Sequence, residues 1–249
     1  MGLHLLADLE LGLPAAFLAG FIDSMAGGGG ILTLPALVLM DLTPATAVGT
    51  NKLVGVFGAA SATWQYARKG KVRWPAVRWL LPLALAGGAL GARAILFLHS
   101  PALFRHLVAF LVLAVGLIVL FHRSLGREPS RPRLTLAQAA PLIPLIAFYD
   151  GFFGPGTGTF LMFLWVAALG YDFVEGSAQA RSLNLASNAG ALLTFLLGGH
   201  LIYLIGLPMG LLNAVGAALV ARVALRRGNA LVRSAYLLIV VLVVTRLLL

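Results

Sequence analysis

Two segments, "WLLPLALAGGALGARAILFL" (79–98) and "LFRHLVAFLVLAVGLIVLF" (103–121), restrict the fold more than anything else in this chain. Each is long enough to cross the hydrocarbon core of a bilayer, which takes about 20 predominantly apolar residues as a helix. Of the 249 residues, 60% are hydrophobic and only 10% are charged, too few charges to cover a soluble surface. The sequence therefore predicts an all-α polytopic membrane protein.

The formal net charge of +10 takes its meaning from that setting. Basic residues fall largely in short loops, where the positive-inside bias places them. They are not interleaved with aromatic residues on a polar surface, which sets nucleic acid aside as a partner. With no cysteine, disulfides, thiolate metal sites and cysteine nucleophiles are excluded. "MGLHLLADLE" has acids where a signal peptide needs basic residues, so no cleavage is expected.

The chain also repeats itself. "QYARKGKVRW" (65–74) aligns with "TFLLGGHLIY" (194–203), and "AGGALGARAIL" (86–96) with "VGAALVARVAL" (215–225), both at an offset of 129 residues. The Gly-rich stretches match at nearly that offset, Asp23 and Gly27 against Asp150 and Gly154. Between the copies, "HRSLGREPSRPR" (122–133) is polar and rich in Pro and Arg, as an exposed linker would be.

Charge in equivalent loops is reversed between the copies. The first copy has Arg68, Lys69, Lys71, Arg73 and Arg78 where the second has only "GGH" (198–200). At the next loop the second copy has Arg226, Arg227 and Arg233 against Arg105 in the first. Equivalent loops then face opposite sides, which makes the copies an inverted-topology pair. With the Arg-rich linker cytoplasmic, both termini come out external.

These constraints divide the chain into repeat 1 (1–121), a cytoplasmic linker (122–136) and repeat 2 (137–249), within one membrane domain. In repeat 1, a broken-helix hairpin over 11–40 precedes longer helices at 44–67, 78–98 and 102–121. Repeat 2 has its hairpin at 137–170 and helices at 174–197, 202–225 and 231–249. The hairpin arms are too short to span alone, so each turns back near mid-membrane. "GFIDSMAGGGGILTLP" (20–35) supplies the first turn and "FYDGFFGPGTGTF" (148–160) the second. Non-helical backbone at that depth must be enclosed by protein or line a water-filled cavity. The helix leaving each turn aims its N–H groups and positive dipole end into that cavity, an arrangement suited to an anion.

The carrying residues resemble those of the TauE/SafE sulfite exporter family. They are "AGFIDSMAGGGGILTLPAL", "ATAVGTNKL" (45–53) and "SATWQYARKGKVRW" in repeat 1, with "YDGFFGPGTGTFLM" and "ARSLNLASNAGALLTF" (180–195) in repeat 2. The resemblance covers nearly the whole chain. It implies a bacterial inner-membrane transporter, often linked to small sulfur oxyanions or organosulfonates, and it names no substrate. Where the second copy of that family commonly shows Thr-Lys, this chain has Ala180-Arg181.

Lys52 lies about 8 residues into its helix, roughly 12 Å along it and so close to the membrane centre. Arg181 is its counterpart. Intramembrane cations are costly, which leaves two readings: coordination of an anion, or a structural ion pair with Asp23 or Asp150. Each aspartate is in turn either a proton carrier or a cap on the backbone N–H groups of its turn. Thr50, Asn51, Asn184, Ser187 and Asn188 share the helices of the two cations and could bind oxyanion oxygens or bridge helices. The turns add Gly28, Gly29, Gly30, Gly156 and Thr157 as candidate donors.

No Walker sequence is present, and "GPGTG" lacks the preceding strand of a dinucleotide loop. "GxSxG" is also absent, and no serine has the setting of an activated nucleophile. The expectation is a secondary transporter of a small anion such as sulfite or an organosulfonate, an exporter by resemblance, with possible proton coupling and no cofactor or metal. Its partners would be that anion and the lipid bilayer. An anion channel is the alternative, and an intramembrane enzyme a more remote one.

Overall fold

A computed structural model of the protein describes residues 2–26, 29–121 and 132–227, and among these it is helical with no strand. The first half contains α1 (Gly2–Ala26), α2 (Gly30–Val38), α3 (Pro44–Arg68), the single turn α4 (Trp74–Val77), α5 (Leu81–Ile95) and α6 (Pro101–Phe121). The second contains the turn α7 (Leu136–Ala139), α8 (Leu142–Phe152), α9 (Thr157–Phe163) continued by a π-turn (Leu164–Ala168), α10 (Phe173–Leu197) and α11 (Tyr203–Arg227). The expected helix at 231–249, most of the linker and Gly28 lie outside the described residues.

Local chemistry sets α3 and α10 129 residues apart at both ends. Thr43, in extended backbone, caps α3 by accepting from the Thr46 N–H at 3.4 Å, and Pro44 occupies the first turn without needing a donor partner. Asp172 caps α10 in the same way, accepting from the Glu175 N–H at 2.8 Å. Both helices are followed by a left-handed glycine, Gly70 at φ 65° and Gly199 at φ 71°, a backbone state that other residues adopt at a cost.

The two helices pack against each other at the centre and run in opposite directions. The start of α3 meets the end of α10, where Thr50 Oγ1 accepts from the Ile202 N–H at 3.1 Å. The end of α3 meets the start of α10, where Gln179 accepts from the Arg73 N–H at 2.9 Å and donates to the Lys71 carbonyl at 3.0 Å. Equivalent helices are thus antiparallel, as the charge pattern of their loops requires.

The halves also exchange partners: α1 packs on α11, α8 on α5, α11 on α3, and α5 on α10. Matched glycines permit close crossings. A Cβ on Gly87 would lie 2.5 Å from the Pro144 carbonyl oxygen, and one on its counterpart Gly216 would lie 2.2 Å from that of Phe17.

Two apolar clusters result. One gathers Ile22, Leu34, Val48, Phe104, Phe195 and Met209; the other gathers Val77, Leu80, Ile143, Trp165 and Leu183. A lysine and an arginine are buried at the centre, while large apolar side chains face outward. Lys52 is 1% and Arg181 0% exposed, whereas Phe110 and Leu145 are each 66% exposed. Such an apolar outer surface suits lipid.

No helix among the described residues is by itself both long and apolar enough to cross a membrane. In α3 and α10, polar residues facing the interior dilute helices that have the required length.

Candidate functional site

Among buried polar residues of the interior lies a small cavity of about 30 Å³. Both hairpins reach it, through Asp23, Gly29 and Gly30 in the first half and Asp150, Gly154 and Gly158 in the second. The central helices add Asn51 and Lys52 from α3 and Asn184 and Asn188 from α10.

The two acids and two bases form a crossed pair of salt bridges. Lys52 Nζ of the first half is 2.8 Å from Asp150 Oδ1 of the second. Arg181 Nη1 of the second half is 2.8 Å from Asp23 Oδ1 of the first. Each cation of one half is therefore neutralised by the hairpin of the other. Removing either partner would strand a buried charge, so the pairs bind the halves together at this level.

The carboxylates have further, different company. Asp23 Oδ1 also accepts from the Gly29 N–H at 3.2 Å, tying α1 to the start of α2. Asp150 Oδ2 instead accepts from Ser187 Oγ at 2.6 Å, tying α8 to α10. Lys52 lies tight against the second turn: a Cβ on Gly154, which sits at φ 102°, would be 2.7 Å from its Nζ. A side chain at 154 would face both a strained backbone and the lysine.

Other residues singled out from the sequence divide into two groups. Asn51 accepts from Thr33 Oγ1, joining α3 to α2, and Asn188 donates to the Asn184 carbonyl at 2.8 Å. Thr50 points away, to the loop after α10. Thr157 Oγ1 donates to the Gly154 carbonyl at 2.8 Å, closing the turn, and Gly156 takes φ 82° at the start of α9.

Several lining residues, Val54 and Gly158 among them, were not singled out from the sequence. Thr33, Gly55 and Asn213 also line the cavity. Asn213 donates to the Ala16 carbonyl at 3.0 Å, and its signal was an amide isolated in the apolar stretch 204–221. Among the described residues, no group of three His, Cys, Asp or Glu is placed to hold a metal ion.

Comparison with known proteins bears on the whole chain. A family model described as sulfite exporter TauE/SafE matches residues 12–247. The chain is 38% identical to "Probable membrane transporter protein ORF9" of Sinorhizobium sp, over 100% of its own length and 94% of the relative's. It is 38% identical to a "Probable membrane transporter protein" of Haemophilus influenzae, covering 94% of this chain and 90% of that one. It is 37% identical to "Probable membrane transporter protein YfcA" of Escherichia coli, covering 93% and 87%. No solved structure matches.

Proposed function

The chain belongs to the TauE/SafE sulfite exporter family, and from that premise we propose that it carries a small anion, such as sulfite or an organosulfonate, across the bacterial cell membrane by alternating access. It is a membrane transporter and not an enzyme. The observation that carries the finer reading is the crossed pair of salt bridges between two inverted halves, of which Asp23, Lys52 and Asp150 line the cavity.

In this reading, the aspartates occupy the cations while the site is closed. An incoming anion takes over part of the charge on Lys52 and Arg181, and the links between the halves loosen as it binds. The halves then rock about the α3–α10 contact, exposing the site on the other side. A proton reaching Asp150 would release Lys52 in the same way, which would couple flux to a proton gradient. Loop 68–78 meets the start of α10, and Arg133 bonds the Ala168 carbonyl nearby. Both basic segments thus lie at one end, which we take as cytoplasmic. The termini are then external, and we take the direction as export from the description of the family.

Charge movement on a solid-supported membrane, with protein in liposomes, tests the proposal. The panel is sulfite, sulfate, thiosulfate, short organosulfonates and carboxylates, with and without an inward proton gradient. A saturable response to one anion class is expected, lost in Lys52→Ala. That variant leaves Asp150 buried without its partner, so Lys52→Ala/Asp150→Asn is measured beside it. A saturable wild-type response in the double variant would remove Lys52 from the site, and a non-saturating conductance in the native protein would replace the transporter with a channel.

A further inference from the structure

All but one of the chain's four tryptophans lie between residues 64 and 79. Trp64, Trp74 and Trp79 are 63%, 48% and 71% exposed, whereas Trp165 is buried. The same segment carries Arg68, Lys69, Lys71, Arg73 and Arg78 and no acid. Its counterpart at an offset of 129, residues 193–208, has no tryptophan, lysine or arginine. The frame shared by the two halves therefore does not require this segment to be aromatic and basic.

Rings and charges stand side by side. The Arg68 guanidinium lies 5.9 Å from the ring centroid of Trp64, one turn earlier on α3, and that of Arg78 lies 5.0 Å from the ring of the adjacent Trp79. Attraction to the ring holds each charge beside its indole without neutralising it. Among the described residues, Arg68, Lys69, Lys71 and Arg78 make no salt bridge. The acids at this end are otherwise engaged, Glu175 by Arg73 and Asp172 as the cap of α10.

The depth of the segment follows from its neighbours. Directly after Trp79, α5 turns Leu83, Leu85 and Leu90 outward, an apolar surface that suits lipid. An indole at the edge of such a surface sits where hydrocarbon gives way to headgroups, its ring in the apolar layer and its N–H in the wet one. Arg78, held on that indole, is thereby at the level of the lipid phosphates.

We infer that the outer face of 64–79 is a docking surface for anionic phospholipid, with acyl chains against the indoles and the α5 leucines and the headgroup phosphate against Arg68, Lys69 and Arg78. A zwitterionic lipid brings the same chains and no net charge, so the unpaired cations favour an anionic one. Gln179 of α10 holds the backbone of Lys71 and Arg73. Lipid on this face therefore braces the loop by which the first half grips the second. The docking surface is independent of which anion the protein carries.

Quenching of tryptophan fluorescence by brominated lipids reads this surface directly, since three of the four indoles stand on it. The protein is reconstituted in bilayers containing brominated phosphatidylglycerol or brominated phosphatidylcholine at equal mole fraction. Phosphatidylglycerol is expected to be preferred by about threefold or more, and the preference should fall as salt is raised. Arg68→Gln/Arg78→Gln keeps every indole and is expected to remove about half of that preference or more, whereas Arg105→Gln, at the other end of the bundle, should leave it unchanged. Equal quenching by the two lipids, a preference insensitive to salt or unchanged in the double variant, or an equal loss in Arg105→Gln would overturn the inference. So would displacement of phosphatidylglycerol by inorganic phosphate beyond that caused by chloride at the same ionic strength, which would make the surface a site for a free anion. Should the double variant fail to fold, the salt dependence of the wild-type protein decides. Each of these outcomes leaves the transporter reading untouched, because no carried anion enters the measurement.

Discussion

The Lys52–Asp150 and Arg181–Asp23 bridges sit at matched positions in the two halves, at the same separation of 2.8 Å, and yet they are different devices. Asp150 is bonded through both oxygens, to Lys52 and Ser187. Asp23 Oδ1 accepts from Arg181 and from the Gly29 N–H, while Nε and Nη2 of the arginine have no hydrogen-bond partner. Inverted repetition thus supplies a common frame of antiparallel helices and crossed charges. Within it, single side chains such as Ser187 against Gly58 assign different work to each half.

The largest expected effects come from breaking each bridge in turn. Asp23→Ala strands a guanidinium that cannot lose its proton, whereas Asp150→Ala strands a lysine that can. Both should destabilise by about 3–5 kcal/mol, with Asp23→Ala at the upper end. Thermal unfolding in detergent, followed by tryptophan fluorescence, measures both. Equal losses would mean that the two bridges are interchangeable, and would remove the distinction drawn above.

The next test concerns the frame. Gly87→Ala and Gly216→Ala place a methyl against carbonyl oxygens at matched crossings, 2.5 and 2.2 Å away. Overpacking of this kind costs about 1–3 kcal/mol, and Gly216→Ala should lie higher because its contact is closer. The same unfolding assay reads the difference. A large loss at one crossing and none at the other would show that the halves do not share the packing.

Much of this frame was legible in the sequence, because hydrophobic length, loop charge and internal repetition are local or additive signals. The helix expected at 44–67 is observed as Pro44–Arg68, since Thr43 and Pro44 fix its start through chemistry within one turn. The cations and acids stood out because charge is rare in apolar helices. Their crossed pairing did not, because it depends on which half each hairpin packs against. Thr50 shows the same limit. It neighbours Lys52, but at about 100° per residue it faces a different way, toward the Ile202 N–H. The unpartnered Nε and Nη2 of Arg181 were invisible for a further reason: a residue type records what a side chain can donate, and only the fold records what it meets.

Smaller effects should come from the helix starts. Asp172→Ala removes a charged acceptor 2.8 Å from the Glu175 N–H, and Thr43→Ala a neutral one 3.4 Å from the Thr46 N–H. Losses of about 0.5–2 kcal/mol are expected, larger for Asp172, because a carboxylate at a helix N-terminus also interacts with the dipole. Melting temperatures of the two variants rank them, and the reverse order would mean that geometry at these caps does not set their worth.

The smallest effects belong to salt bridges at the two ends of the bundle. Arg73 pairs with Glu175 at one end and Arg105 with Asp41 at the other, and the two arginine side chains are 55% and 49% exposed. Water screens these charges and long side chains resist being fixed, so double-mutant cycles should give no more than about 1 kcal/mol for either. The coupling should fall further as salt is raised. The same cycle on Lys52 and Asp150, carried out in the same detergent, should give several times that coupling and change little with salt, because ions do not reach the pair. A salt-sensitive coupling at Lys52–Asp150 would place water and ions around it, and the interior would then be an open pore and not a closed site between two halves.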